Sequence, residues 1–512
     1  MKNILFLIAL LHFSYIKAQE TWVYENDYGK GTQILESYDG GTLLLAIEYW
    51  QQGDGKLIKL NNTGVVLWEH TISDNTETLT GIKLAESTDG SIYIGGLTFN
   101  YEEFLGDAFL LKLDACGDLI WFQEYGVQGV MDYITEIFPN EDGSIIIQQM
   151  IGSSEGRFTL RKLNDKGEVQ WTKQHFQEIG SSPDGMIRTS DGGFVLNGSV
   201  YVPPYYDLDS PLGYIRNAVV KTDSLGTEEW VNIYRWEEDN TDTVFRSSGG
   251  GVQQLGNNNF IAATLNRNAP YFRPVMYELN TNGEMIYNRL IGKPDTVYDT
   301  TKTILLSDST LLIATSASLP ETDLQRHLEV YKMDLQGNKL AEFVDNNNLL
   351  VTRDFRFNSD SSSVFIMPAA RSINGNYSLY ALKLNPYTME LDSFALEDNT
   401  EYDYFCSGGV VEQTINFPNL GVEDLFVKEK QQLRIAPNPA KNYTYVYFEI
   451  ENYNRTAKIE IHNLQGQQIC SFPTLASEGR LYQDLSSYSS GIYIVSLILD
   501  NRVVETQQMV VE

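Results

Sequence analysis

A repeat of about 50 residues, each copy carrying two tight turns, restricts the fold of this chain more than any other feature. The first turn is Asp-Gly or a degenerate form of it, and an apolar strand follows it. Its copies begin at Asp39, Asp89, Asp142, Asp191, Gly256, Asp308 and Asp360. The second turn follows a strand that ends in Lys-Leu-Asp or a similar triplet, contains a glycine, and leads to Trp or Tyr in most copies. Its glycines lie at positions 64, 117, 167, 226, 283 and 337.

Two turns per repeat, each flanked by alternating apolar residues, predict four short strands in every unit. Asp-Gly steps supply the positive φ that tight hairpins need. In the third unit the predicted strands are Tyr133–Phe138, Ser144–Met150, Phe158–Leu163 and Glu168–Gln174. Seven such units predict a seven-bladed β-propeller, an arrangement that leaves only short sheet edges.

Aromatic residues after the second turn have a structural interpretation. A large ring in the fourth strand fills the wedge between neighbouring blades, where radial packing leaves most room. Trp22 resembles a fourth-strand residue with no unit before it. We therefore expect its segment to close the ring by pairing with the last blade, with Met389–Leu396 as the competing segment.

These units resemble a family of secreted bacterial propellers that carry a DGG turn and a K-L-D-x-x-G-x-x-x-W turn. The resemblance covers residues 22–395. Architecture alone defines that family, so the resemblance implies no catalytic residues.

The N-terminus and the charge indicate export. Lys2, the apolar run Ile4–Leu11 and small Ala18 form a signal peptide over residues 1–18. No later segment is apolar enough to span a membrane. A net charge of −31 argues against nucleic acid and anionic lipid as partners. The three cysteines are too few and too scattered for a disulfide framework and are expected to be small buried residues.

The sequence pattern changes in the last 80 residues. Several short predicted strands there suggest a small Ig-like β-sandwich over 433–512. The segment strongly resembles the type A C-terminal sorting domain of the Bacteroidetes type IX secretion system, on six marks: Pro437, Asn438, Pro439, Gly466, Gly491 and Tyr493. The resemblance implies that the secretion machinery is a partner and that the protein is secreted or attached to the outer cell surface. The propeller then spans 19–396, and residues 397–432 form an edge strand and linker.

A search for chemistry is mostly negative. His70, His175 and His327 show no metal-ligand spacing and are expected at the surface. Residues 152–156 fit G-x-S-x-G, but a strand follows them where a nucleophile elbow needs a helix. No cofactor is expected. The acidic stretches 207–209 and 237–239 offer oxygen ligands for Ca²⁺, although neither completes an EF-hand loop.

The stretch between the second and third strands varies in length from unit to unit, and propeller geometry places these loops on one face. Aromatic and cationic residues there are candidates for ligand binding: Tyr101, Tyr205, Tyr206, Tyr271, Phe272 and Arg273. The alternative is that the rings only pin long loops to the propeller. We therefore interpret the protein as a surface or secreted binding module for a glycan or protein. The alternatives are a secreted hydrolase or lyase acting on polysaccharide or peptide, and a structural part of the cell surface.

Overall fold

The computed structural model describes residues 21–416 and 433–511 with internal gaps. The gaps in the first range are 27, 48–52, 74–77, 101–104, 127–130, 153–156, 177–180, 203–213, 235–247, 267–271, 294–295, 319–325, 347–348, 359, 372–376, 396–399, 401 and 403–411. Those in the second are 437, 442, 450–456, 465–466, 475–477, 486–487 and 500–501. The chain forms two compact units, 1–418 and 419–512, and the regular structure in the described residues is all β.

The first unit contains seven antiparallel sheets of four principal strands, and the inner strand of each sheet comes first in the blade. After β1 (Val23–Asn26), blade 1 contains β2 (Lys30–Glu36), β3 (Thr42–Ile47), β4 (Gly55–Leu60) and β5 (Val66–Ser73). Blade 2 contains β6 (Thr78–Glu86), β7 (Ile92–Asn100), β8 (Leu105–Leu113) and β9 (Leu119–Glu124). Blade 3 contains β10 (Asp132–Pro139), β11 (Ile145–Ile151), β12 (Arg157–Leu163) and β13 (Val169–His175), each end within one residue of the prediction.

Blade 4 contains β14 (Ser181–Arg188), β15 (Phe194–Val202), β16 (Tyr214–Thr222) and β17 (Glu228–Tyr234). Blade 5 contains β18 (Ser248–Gln254), β19 (Phe260–Asn266), β20 (Arg273–Leu279) and β21 (Met285–Leu290). Blade 6 contains β22 (Val297–Leu305), β23 (Leu311–Ser318), β24 (His327–Met333) and β25 (Lys339–Asp345). Blade 7 contains β26 (Leu349–Phe357), β27 (Val364–Arg371) and β28 (Tyr377–Asn385).

Both segments considered for ring closure take part in it. β1 pairs with β28 and completes blade 7 as its outer strand, with Val23 opposite Leu382. The short β29 (Glu390–Leu391) pairs with the far end of β28. Seven buried apolar clusters fill the seven interfaces between adjacent blades, including the interface of blade 7 with blade 1. The ring is therefore a closed seven-bladed propeller.

An ion pair links the two turns of the repeat. The turn aspartate accepts a hydrogen bond from the backbone two residues on, and the lysine of the Lys-Leu-Asp strand reaches back to the same carboxylate. In blade 1 the Lys59 Nζ to Asp39 Oδ2 distance is 2.6 Å. Pairs at the same repeat position are Lys162–Asp142, Lys221–Asp191 and Lys332–Asp308. The recurrence of both residues in the sequence thus has one electrostatic cause.

The fourth-strand rings lie against the second turn of the next blade. The indole Nε1 of Trp121 donates to Asp165 O at 2.9 Å, and that of Trp230 donates to Thr281 O at the same distance. A Cβ placed on Gly283 would lie 2.6 Å from the Trp230 ring, so glycine is required there by the close approach as well as by its positive φ. The rings fill the wedge between blades, as the sequence predicts.

The propeller receives one further strand, β30 (Glu412–Asn416), which pairs in parallel with β5. The expectation about the cysteines is wrong for one of them, because Cys116 is disulfide-bonded. Cys470 is a free thiol, and Cys406 lies outside the described residues. An oxidised cysteine is typical of a protein that leaves the cytoplasm.

The second unit contains two antiparallel sheets with a shared apolar core. One sheet contains β31 (Leu433–Ala436), β32 (Tyr443–Glu449) and β35 (Glu478–Asp484). The other contains β33 (Ala457–Asn463), β34 (Gln468–Thr474), β36 (Gly491–Leu499) and β37 (Arg502–Val511). Val446, Ile461, Val495 and Met509 are fully buried in that core. In the described part of the chain, no helix is long and apolar enough to cross a membrane.

Candidate functional site: the charged ring of the central channel

The inner strand of every blade is interrupted by a β-bulge near its middle. The pairing register shifts between Gly31 and Gln33 in blade 1, between Thr80 and Lys83 in blade 2, and at the corresponding place in the other five. A bulge bends a strand and redirects its side chains. Seven bulges at one level therefore shape the wall of the channel on the propeller axis.

One position at this level recurs in all seven blades, three residues before the last paired residue of the inner strand. Its occupants are Gln33, Lys83, Glu136, Gly185, Gly251, Lys302 and Asp354. All seven line a single cavity of about 240 Å³, together with Asp184 and Arg356. We call the charged members Lys83, Glu136, Asp184, Lys302, Asp354 and Arg356 the channel ring. Their formal charges cancel, with three of each sign, in a protein of net charge −31.

Blades 7, 1 and 2 meet in one hydrogen-bonded network. The Arg356 Nε lies 3.0 Å from Asp354 Oδ2, and its Nη1 donates to Leu84 O at 3.3 Å. Its Nη2 also donates to Gln33 Oε1. Asp354 Oδ2 accepts the backbone N–H of Ile34 at 2.9 Å. This side of the ring is therefore fixed by contacts that bridge three blades.

The opposite charges of blades 2 and 3 are also paired. Lys83 Nζ lies 3.5 Å from Glu136 Oε1, and both side chains are only 21% exposed. Asp184 of blade 4 has a polar or electrostatic partner as well. All three carboxylates of the channel ring are therefore engaged within the protein.

Lys302 differs from the other two cations of the ring. Its Nζ makes no hydrogen bond or ion pair within the part of the chain that the structure describes. The side chain lies deep in the molecule but is partly exposed to the channel. Burial lowers the pKa of the Lys302 ammonium and the Lys83 charge lowers it further, while Glu136, Asp354 and Asp184 oppose the shift.

Two glycines line the cavity on the side of blades 4 and 5. Gly185 and Gly251 occupy the ring position where the other five blades carry long or charged side chains. A Cβ on Gly251 would lie 3.0 Å from Thr303 O, which leaves little space for a side chain there. Phe138 and Ile187 add an apolar surface to the same cavity.

A second polar cluster joins blades 5 and 6. The buried Glu329 accepts hydrogen bonds from Lys293 Nζ at 2.9 Å, from His327 Nε2 at 3.0 Å and from the Tyr331 hydroxyl. Burial raises the pKa of Glu329, but these donors more than offset it and bring it down to about 2. Tyr298 and Tyr331 are almost wholly buried. The carboxylate has three donors, so the cluster fixes the connection after blade 5 to blade 6.

Two of the three histidines expected at the surface are buried, and the third, His327, is partly exposed. His70 and His175 are 2% and 4% exposed, because each packs into a blade interface. His70 Nε2 lies 2.8 Å from Cys116 O, and His175 Nδ1 lies 3.4 Å from Glu228 Oε2. Among the described residues no group of three or more His, Cys, Asp or Glu side chains is placed to hold a metal ion. The acidic stretches considered for Ca²⁺ lie outside those residues.

Most of the aromatic candidates for ligand binding, namely Tyr101, Tyr205, Tyr206 and Tyr271, lie outside the described residues. Phe272 is half-buried and packs against the cluster between blades 5 and 6. Arg273 Nη2 donates to Gly292 O at 3.0 Å and Nε donates to Ile291 O at 3.3 Å. These two residues therefore stabilise the connection from blade 5 to blade 6.

The sorting marks have a clear structural role where they are described. Asn438 pairs its side-chain amide with the last strand: Nδ2 donates to Gln508 O at 2.6 Å, and Oδ1 accepts Val510 N–H at 2.7 Å. Tyr493 is buried, and its hydroxyl donates to Ser489 O at 2.9 Å. Pro439 and Gly491 are described, whereas Pro437 and Gly466 are not.

Sequence reasoning missed the channel ring, although a signal for it exists. Each ring position lies six residues before the first residue of the Asp-Gly turn or its Asn equivalent, as in Lys83 and Asp89 or Glu136 and Asp142. Aligning the repeats on that turn would have shown a column of Gln, Lys, Glu, Gly, Gly, Lys and Asp. Charged residues in the middle of an inner strand are unexpected in a packed core.

The fold and the site define a closed propeller with a charged axial cavity. Residues 434–512 match the family model of the secretion system C-terminal sorting domain. The tail therefore marks a protein exported by the type IX route and secreted or attached to the cell surface.

No curated protein matches the chain. Among solved structures, an ulvan lyase has a TM-score of 0.46 and 8% identity, over 72% of this chain and all of the lyase. The polysaccharide lyase Uly1 has a TM-score of 0.46 and 12% identity, over 73% of this chain and 94% of that chain. A protein of unknown function from Dyadobacter fermentans has a TM-score of 0.42 and 10% identity, over 71% and 97%. No conclusion about activity follows from likenesses at this level.

Proposed function

We propose that this protein is an exported binding module whose propeller holds a glycan or protein partner, with the channel ring as the specific part of the site. The observation that carries the proposal is the ring itself: charged side chains at the matched position of blades 2, 3, 6 and 7, with Asp184 and Arg356 near them, line a cavity of about 240 Å³. Buried charges cost stability unless they are paired. A propeller that needed only to fold would be more stable with apolar residues there.

Binding is favoured over catalysis by the state of the carboxylates. Glycoside hydrolysis needs one carboxylic acid free to donate a proton and a second carboxylate free to act as base or nucleophile. Glu136 is ion-paired with Lys83, and Asp354 with Arg356. Each carboxylate therefore already has a cationic partner within the protein. The aromatic residues Tyr101, Tyr205, Tyr206 and Tyr271 remain candidates for an outer contact surface.

A hydrolase or lyase is the second candidate, favoured by one specific observation. Glu136 and Asp354 stand at the matched position of blades 3 and 7, so two carboxylates face one cavity. Binding of a substrate that displaced Lys83 or Arg356 would free an acid for chemistry. The cavity is polar enough for such a substrate.

One experiment separates the two. The purified full-length protein is screened on a glycan array and, in parallel, incubated with polysaccharides and peptides while reducing ends, unsaturated products and new amines are measured. Saturable binding without product supports the binding module. Product formation that is abolished in Glu136→Gln or Asp354→Asn would make the protein an enzyme and refute the proposal.

A further inference from the structure

One cation of the channel ring has no direct partner among the residues that the structure describes, and this specifies the charge of the ligand. Three carboxylates and two of the three cations are engaged with protein partners, and Lys302 is the cation without a hydrogen bond or ion pair among the described residues. The carboxylates of Glu136, Asp354 and Asp184 act on the Lys302 ammonium without touching it, so within the described part of the chain it lacks the direct partner that buried charges ordinarily have. An anionic group of a ligand would supply that partner.

The surroundings of Lys302 limit the size of that ligand. The cavity of about 240 Å³ is smaller than the roughly 300–1,000 Å³ of pockets for drug-sized ligands. Gly185 and Gly251 carry no side chain into the cavity on the side of blades 4 and 5, and blade 6 with Lys302 is next to blade 5. A ligand of one ring, or a single chain end, fits this space.

The chemistry of the wall is mixed. Phe138 and Ile187 present apolar surface in the cavity. Gln253 also lines it, and its Nε2 donates to Thr303 O at 3.2 Å. Apolar surface beside a few placed polar groups is typical of sites that recognise compounds with an apolar face and hydroxyl groups.

We infer that the channel ring binds a carboxylate-bearing ligand of about one sugar ring, with the carboxylate on Lys302 and the ring in the remainder of the cavity. This inference rests on the proposed binding function and adds the charge and the size of the ligand. Lys302 is the specificity-determining residue, because a neutral analogue of the same ligand leaves its ammonium unpaired. Charge-assisted hydrogen bonds to carboxylates are about twice as strong as neutral ones.

The test uses the full-length protein and isothermal titration calorimetry with three probes: D-glucuronate, D-galacturonate and D-glucose. We expect saturable binding of at least one uronate and at least tenfold weaker binding of glucose. Lys302→Met, which keeps the length of the side chain and removes its charge, should weaken uronate binding at least tenfold. The matched control is Lys339→Met on the outer strand of the same blade, where the lysine is 48% exposed and pairs with Glu342. It should leave affinity within twofold of wild type.

Folding of the variant is checked independently. Replacing a buried, unpaired ammonium by an apolar side chain should leave the midpoint of thermal unfolding unchanged or raise it. If Lys302→Met nevertheless unfolds, Lys302→Gln is titrated in its place.

The inference is overturned if neither uronate binds the wild type, if glucose binds as tightly as the uronates, or if Lys302→Met binds like the wild type. Glycan-array binding that persists in Lys302→Met would overturn the inference and leave the proposed function intact. Absence of any binding partner on the array, together with no uronate binding, would refute both.

Discussion

The repeated lysine–aspartate pair offers a test in which burial is the main variable. The pair recurs at the same repeat position in blades 1 and 3. In blade 1, Lys59 and Asp39 lie 2.6 Å apart with side chains 4% exposed. In blade 3, Lys162 and Asp142 lie 4.0 Å apart with side chains 30% and 66% exposed. The two sites therefore have the same chemistry in different environments.

The magnitude for blade 1 follows from distance and burial. Two unit charges 2.6 Å apart attract by about 6 kcal/mol at an effective dielectric constant of about 20. Desolvation of both groups offsets much of this attraction. Removing one partner, however, leaves the other charge buried without a partner. Lys59→Met should therefore destabilise the propeller by about 3–5 kcal/mol. Lys162→Met should give no measurable change, because water screens the exposed pair.

The assay is denaturant unfolding of the full-length protein followed by tryptophan fluorescence, with wild type, Lys59→Met and Lys162→Met compared at one pH. Adding Asp39→Asn to Lys59→Met should recover most of the lost stability. The buried carboxylate charge is then removed, while the oxygen that accepts Gly41 N–H remains. Burial raises the pKa of Asp39, yet the hydrogen bond and charge of Lys59 outweigh it and the pKa ends below 3.8. The stabilisation is thus present above pH 3.8 and is lost as pH falls through the lowered pKa.

Equal shifts of the unfolding midpoint for Lys59→Met and Lys162→Met would refute the reasoning. So would a double variant that is no more stable than Lys59→Met alone. Either result would mean that burial does not determine the contribution of this pair.

Three further results are expected. Burial raises the pKa of Glu86 to about 7, against hydrogen bonds from Ser37 and from the backbone of Tyr38. Folding therefore loses stability as pH rises from 4.5 to about 7, by about 3 kcal/mol, and Glu86→Gln should flatten that dependence in unfolding measured at pH 5 and pH 8. Non-reducing peptide mapping should find Cys116 in a cross-linked peptide. Cys470 should be a free thiol that alkylates more slowly in the folded protein than after unfolding, because burial raises its pKa. Detection of Cys116 as a free thiol in the native secreted protein would contradict this. In Asn438→Ala the amide of Val510 should exchange with solvent faster than in wild type, at a cost of about 1 kcal/mol per lost bond. Unchanged exchange would show that the asparagine does not hold the last strand.

The sequence by itself determined the strands, the turns and the number of blades. Alternation with a period of two and turns that need positive φ are local properties, so each unit could be placed from its own residues. The strands of the third blade accordingly end within one residue of their predicted positions. The sorting domain was likewise recognisable, because its marks keep their order along the chain.

Other features depend on residues far apart in sequence that only the fold brings together. The pairing of β1 with β28 joins Val23 to Leu382, and no local pattern states which segment completes blade 7. The burial of His70 and His175 depends on packing between blades, because each contacts a residue of the next blade. That burial and the disulfide at Cys116 corrected expectations, whereas closure of the ring by the Trp22 segment was expected.

The channel ring was partly visible in the sequence and partly decided by the fold. Four of its six residues, namely Lys83, Glu136, Lys302 and Asp354, occupy a fixed offset from each turn, so that column of side chains was present in the sequence. Only the closed ring places Lys83, Glu136, Lys302 and Asp354 around one cavity. Distances between blades then decide which charges are paired and which ammonium has no partner in the described part of the chain. A repeat pattern contains no information about those distances.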